Sequence, residues 1–174
     1  KDRILALSAL NFDLSVYDIF GLLAAGGAIV LPDEHRQRDV AHWLDCMETA
    51  GVTIWNTVPA LMEMLVTAVE DNKRQIPKTL RLVLMSGDWI PVSLPERIRA
   101  LAPPDTAIIS LGGATEGSIW SILYPIAEVD PNWSSIPYGK GMTNQDVQVL
   151  DRYFRQRPDW VPGDLYITGL GVAK

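Results

Sequence analysis

Apolar positions recur in two rhythms along this chain. In "NFDLSVYDIFGLLAAGG", Phe12, Val16, Ile19, Phe20 and Leu23 fall at helical spacing and Gly26 and Gly27 supply a stop. A helix with that stripe turned into the core is predicted. "AIVLP" reads as a short strand, followed by the charged loop "DEHRQRD" and a helix over residues 39–50 that ends at Gly51. "VTIWN" is strand-like, and "VPALMEMLVTAVED" is helical with Pro59 tolerated in its first turn. "LRLVLMSG" is a near-continuous apolar strand closed by glycine, the texture of a strand covered on both faces. "SLPERIRALA" sets Ser93 and Glu96 at capping-box spacing, and "TAIISLGG" repeats the strand-then-glycine arrangement.

From 13 to 111 the chain therefore alternates helix and strand. That is the signature of an α/β fold with a largely parallel sheet flanked by helices. After Trp120 the texture changes: "SILYPI", "DVQVLD" and "GDLYITG" are short, turn-bounded strands with no helix between them, joined by a proline- and glycine-bearing stretch over 130–143. Two regions are expected, an α/β sheet subdomain over 1–125 and a β-rich C-terminal extension over 126–174. The sequence contains no internal repeats and no low-complexity tracts.

Composition narrows the partners. At 174 residues and 48% apolar content the chain suits one globular unit with a real core. A net charge of −6 and a pI near 4.8, with no basic cluster, argue against nucleic acid and against an anionic membrane surface. The longest apolar run, "GLLAAGGAIVLP", is too short and too glycine-rich to span a bilayer. No signal peptide is expected, and the single cysteine, Cys46, excludes an internal disulfide and fits a reducing cytoplasm. Lys1 opens abruptly before "RILALSAL" and the chain stops at "TGLGVAK", so a fragment of a larger domain is expected.

Three strands end in something polar or bare: "VTIW" in Asn56, "RLVLM" in Ser86 and Gly87, "AIIS" in "LGGATE". In open parallel sheets ligands sit beyond the carboxyl ends of the strands, so these endings should share one cleft. Glycines there let backbone approach a planar or phosphorylated ligand. Thr115 offers a hydroxyl and Glu116 an oxygen anion suited to a hard cation such as Mg²⁺. Taken alone, a glycine turn followed by polar residues is more often a plain loop.

"FDLSVYD", "LMSGD", "GGATEGSIW" and "GDLYITGLGVA" stand in the order and spacing of four core motifs of the adenylate-forming superfamily. More narrowly, the chain resembles amino-acid adenylation domains of nonribosomal peptide synthetases. The family usually carries an aromatic residue, glycine and proline before its Thr-Glu, where this chain has Gly112, Gly113 and Ala114. The aromatic that would stack near the adenine is therefore absent from the loop. That Gly-Gly-Ala form resembles the branch that activates cysteine for thiazoline siderophores and related peptides.

The resemblance implies roles residue by residue. Thr115 would hold the α-phosphate and Glu116 would position Mg²⁺; Gly87, Gly112, Gly113, Ala114 and Thr115 would line the ATP site; Asp13 would take the substrate ammonium. The amino-acid pocket would fall on Asp13, Leu14, Tyr17, Asn56, Leu84, Ser86, Leu111, Ile119 and Trp120, a set similar to the family's cysteine-selecting one. Its walls are mainly apolar with a few polar atoms, so a small, weakly polar side chain fits, and serine or a small aliphatic amino acid stays open. The implied reaction is attack of the substrate carboxylate on the α-phosphorus of ATP, then transfer to the phosphopantetheine thiol of a carrier protein, beside condensation or cyclisation domains. The family's phosphate loop would precede Lys1. Its ribose-binding aspartate, hinge and catalytic lysine would follow Lys174, which is not that lysine, so the isolated chain is expected to be inactive.

Plainer readings stand beside these. Asp13 is readable as a helix N-cap and Asn56 as a cap of the turn into the next helix. Ile119 and Trp120 are readable as core. Cys46 reads as a buried structural thiol, and His35 and His42 as isolated histidines with no metal site. Two other functions remain: an acyl- or aryl-CoA ligase of the same superfamily, for which Asp13 would be pointless, and a noncatalytic nucleotide-binding or interaction domain.

Overall fold

The computed structural model describes residues 1–173; Lys174 lies outside the described residues. Seven strands form one sheet in the order β2-β1-β3-β4-β5-β6-β7. They are β1 (Arg3–Leu5), β2 (Ala28–Val30), β3 (Ile54–Thr57), β4 (Leu82–Met85), β5 (Ala107–Gly112), β6 (Ile122–Pro125) and β7 (Lys140–Gly141). The first five pair in parallel, whereas β5–β6 and β6–β7 are antiparallel. A separate antiparallel pair joins β8 (Gln145–Leu150) to β9 (Asp164–Gly169). The main sheet thus runs past residue 125 to Gly141, because Leu123 of β6 registers with Lys140 of β7. Strand β1 was not read from the sequence pattern, for three residues are too few to show a period.

Three helices lie where the pattern puts them: α3 (Val40–Ala50), α4 (Pro59–Asp71) and α5 (Leu94–Leu101). Asp39 caps α3 by accepting from the Ala41 and His42 amides, and Gly51 ends it at φ 63°. Pro59 opens α4, where its missing N–H leaves nothing unpaired. The Ser93–Glu96 capping box does not form. Ser93 already has helical backbone angles and its side chain makes no cap bond, while Glu96 pairs with Arg99 one turn on. Arg97 ties α5 to α4 through Glu63, Thr67 and Glu70.

Strand alternation divides the core between the two faces of the sheet. Leu5, Trp55, Val83, Met85 and Ile108 pack with Trp43, Met47, Met62, Leu65, Leu94 and Ile98 of α3, α4 and α5. Ile4, Ile54, Leu84 and Leu111 face the other way and pack with Leu22, Tyr17 and Trp120.

The first helical segment overturns one expectation. It is built from α1 (Leu14–Val16), a π turn over Tyr17–Gly21, and α2 (Leu22–Ala24). The residues turned inward are Leu14, Ser15, Asp18 and Leu22, whereas Phe12, Val16, Phe20 and Leu23 are exposed. Ile19 is half-buried. Apolar residues occur on every side of this segment, so periodicity does not choose its inner face. Packing of Leu22 and Tyr17 onto the strands does.

Candidate functional site

The site grows from strand parity. Asn56 pairs across the ladder with Leu84, and Leu84 with Ile109. Asn56, Leu84, Ser86 and Leu111 all lie at the carboxyl ends of β3, β4 and β5, and all four are buried. The α1–α2 segment covers the same face, with Tyr17 and Leu22 packed on Leu84 and Leu111. Tyr17 and Trp120 stack at 4.9 Å between centroids, and the Trp120 indole N–H donates to Ser86 Oγ at 3.0 Å.

The opening turn of the helix reaches the glycine loop. Thr115 Oγ1 donates to Asp13 Oδ2 at 2.7 Å, across 102 positions of sequence. Asp13 stands at the N-cap position, yet its side chain makes no capping bond. Asn56 does not cap the next helix either: Val58 holds that position, and Asn56 Nδ2 donates to Asp18 Oδ1 at 2.8 Å.

The loop between β5 and β6 is pinned at both ends. The Ser121 amide donates to the Gly112 carbonyl, while Thr115–Gly117 forms a 3-10 turn. Ser118 and Ile119 follow with φ of 64° and 72°. That backbone is unfavourable for a β-branched residue and is held here by Ser118 Oγ donating to the Gly171 carbonyl at 2.7 Å. Thr115 and Glu116 are exposed, and so are Gly113 and Ala114.

The glycines have a different neighbourhood from the one anticipated. Where a Cβ would stand on Gly112, the ring of Tyr138 lies 2.7 Å away; on Gly113, the Ile119 carbonyl oxygen lies 2.5 Å away. Protein already fills the side from which a Cβ would project, so only the other side of that backbone is left for a ligand. Gly87 takes φ 83°, close to Val58 and Phe12. Sequence reasoning missed Tyr138, which sits in a stretch read only as a connection. The signal was the bare position at Gly112, a strand end with room for a ring from elsewhere.

It also missed Asp18, the polar member of the inward stripe Leu14, Asp18, Leu22. Asp18 is 1% exposed, and burial pushes its carboxyl up to about 6, opposed by the bond from Asn56. Asp18 Oδ2 and Asn56 Oδ1 are both buried without a partner. One proton on Asp18 Oδ2 would let it donate to Asn56 Oδ1 and satisfy both. Burial likewise raises the Tyr17 phenol.

A cavity of about 1260 Å³ lies elsewhere. It is lined by the stretch Ala6 to Asn11, Ser15, Asp18, Ile19, Leu31 and Met64, among others, and by none of the nine expected pocket residues. Of those nine, Tyr17, Leu84, Leu111 and Trp120 pack in one cluster, and Ser86 accepts from Trp120. His42 is not isolated: Cys46 Sγ lies 3.5 Å from its Nε2, which also accepts from the Asp33 amide, and burial raises the half-buried thiol. No group of three His, Cys, Asp or Glu that could hold a metal occurs among the described residues. A single exposed carboxylate, Glu116, suits Mg²⁺ held jointly with phosphate oxygens rather than caged by protein. No described helix is long and apolar enough to cross a membrane.

The chain matches the family model described as AMP-binding enzyme over residues 1–174. It is 51% identical over 173 residues to the anguibactin system regulator of Vibrio anguillarum, covering 99% of this chain and 16% of that protein. It is 48% identical to pyochelin synthetase PchF of Pseudomonas aeruginosa, covering 99% of this chain and 10% of that protein. The chain therefore spans a sixth or less of the length of these relatives. The crystal structure of the nonribosomal peptide synthetase FmoA3 bound to α-methyl-L-serine-AMP superposes with a TM-score of 0.94 at 45% identity, over 99% of this chain and 20% of that one. With its whole length matched and its sheet shared, the chain belongs to the AMP-binding enzymes, among the adenylation domains of nonribosomal peptide synthetases.

Proposed function

We propose that this chain supplies the amino-acid pocket and part of the ATP site of an adenylation domain that activates L-cysteine. The observation that carries the reading is the 2.7 Å bond from Thr115 to Asp13. It sets a carboxylate that can take an ammonium beside a hydroxyl that can take a phosphate, the two groups that one aminoacyl phosphate carries. Asp13 binds the ammonium, which can only donate. Thr115 then turns its proton to a phosphate oxygen, which can only accept. Each residue of the pair is thus satisfied before reactants arrive and again afterwards.

The substrate carboxylate forms its bond to the α-phosphorus as the bond to pyrophosphate breaks. The chain's task is placement and charge neutralisation. Glu116 would hold Mg²⁺, which would supply neutralisation of phosphate charge. Leu14, Leu84, Leu111, Ile119 and Trp120 exclude water from the side chain, and Tyr17 and Ser86 leave few polar atoms toward it. Asn56 turns its amide to Asp18, which lowers the polarity of the pocket further. This favours a thiol over charged side chains. The likeness to a pyochelin synthetase supports a place in siderophore-type peptide synthesis. Product would pass to the phosphopantetheine of a carrier protein and on to condensation or cyclisation domains, in the cytoplasm. The FmoA3 ligand favours a second reading, an α-substituted or plain serine.

The test is amino-acid-dependent exchange of pyrophosphate into ATP by the intact parent protein. Cysteine should give the highest kcat/KM. Higher values with serine or α-methylserine would move the substrate. Dependence on acids lacking an amine would indicate an acyl-CoA ligase, and no dependence on any acid would leave a noncatalytic domain.

A further inference from the structure

We propose that Tyr138 is the aromatic platform for the adenine of ATP, standing in for a side chain that position 112 lacks. The proposal rests on the adenylation reading above and deepens it. Its ground is the approach of the Tyr138 ring to Gly112: Cδ1 and Cε1 lie 2.7 and 2.9 Å from the place of a Cβ on residue 112. No residue but glycine fits there while the ring is present. The ring therefore occupies the volume that a side chain on the last residue of β5 would take, immediately before Gly113, Ala114 and Thr115.

The ring is presented rather than buried. Tyr138 is 55% exposed, so part of the ring is open to a partner. Both flanks fix it. On one side the Ile136 amide donates to the Ile90 carbonyl, anchoring the approach to the ring. On the other, Gly139 takes φ 103° with its α-carbon so close to Leu123 that a Cβ would meet the carbonyl oxygen, and Lys140 pairs with Leu123 in the sheet. A rigid loop holding an exposed ring against bare backbone at a strand's carboxyl end is a stacking surface. A purine has the matching flat face.

The experiment uses the full parent protein and measures two things: affinity for the non-hydrolysable analogue AMPPNP by calorimetry, and KM for ATP and for cysteine in pyrophosphate exchange. Tyr138→Ala should weaken AMPPNP binding and raise the ATP KM by about tenfold, in line with loss of one base–aromatic stack. The cysteine KM should stay within twofold. Tyr138→Phe should retain both values. Tyr138→Leu, which refills the space over Gly112 without a π face, should behave like Tyr138→Ala. AMPPNP affinity unchanged in Tyr138→Ala, or fully kept in Tyr138→Leu, would overturn the assignment. A parent that binds AMPPNP but shows no amino-acid-dependent exchange would defeat the adenylation reading, with the effect of Tyr138 on AMPPNP affinity still read directly.

Discussion

Asn56 Nδ2 donates to Asp18 Oδ1 at 2.8 Å, and both residues are sealed from solvent. The pair leaves one oxygen on each residue without a partner, so its protonation state bears on stability.

With its folded-state value raised from 3.8 to about 6, Asp18 contributes stability that is fully present below pH 3.8 and is lost as pH rises through about 6. The span corresponds to about 3 kcal/mol. Asp18→Asn removes the titration and supplies an amide that can donate to Asn56 Oδ1. The variant should melt several degrees above the wild type at pH 7 and show no pH dependence from this site between pH 4 and 6. A wild-type melting temperature flat across that range would count against the buried charge.

Asp13→Asn keeps an oxygen that can accept from Thr115 and removes the charge. The loop should stay in place while the cysteine KM in pyrophosphate exchange rises thirtyfold or more, equivalent to about 2 kcal/mol. AMPPNP affinity should change little. Unaltered cysteine KM would remove Asp13 from the ammonium site.

Glu116→Gln should lower kcat and raise the Mg²⁺ concentration needed for half-maximal exchange, with the cysteine KM within threefold. Equal loss of metal dependence and of amino-acid binding would contradict a metal role for Glu116.

Gly113→Ala would place a methyl group 2.5 Å from the Ile119 carbonyl oxygen and 2.9 Å from the Ser121 amide nitrogen, both backbone atoms that cannot swing away. A loss of about 1–3 kcal/mol is expected from the urea midpoint. A neutral result would mean that the loop relaxes freely.

Much of this architecture is written in the sequence because it depends on short-range rules. The strands from Ile54, Leu82 and Ala107 are legible as apolar runs closed by polar or bare residues, and α3 and α4 as periodic stretches with Asp39, Gly51 and Pro59 at their ends. Strand parity also puts Asn56, Leu84 and Leu111 on one face. What escaped is non-local. The inward side of α1 and α2 is chosen by the sheet beneath them, and no property of Phe12 or Phe20 alone reveals that they point outward. The approach of Tyr138 to Gly112 spans 26 residues with no periodic signal between them, and Asn56 gives no sign that its amide meets Asp18 rather than a substrate.

The π turn over Tyr17–Gly21 carries a practical corollary. Such a turn holds one residue more than an α turn, so it is a natural point for length change. Shortening it by a single residue would close it into an ordinary α turn and leave everything beyond on nearly the face it now holds, because the wider turn absorbs the extra residue; the same deletion in the regular α turn before it would shift the phase by about 100°. With the π turn shortened, Leu22 would stay on the strands and the aspartate at the start of the segment would keep the anchor that aims it. Deleting the exposed Phe20 should therefore preserve recognition of the amino acid, whereas deleting the exposed Val16 should abolish it, with helix content almost untouched by circular dichroism in both.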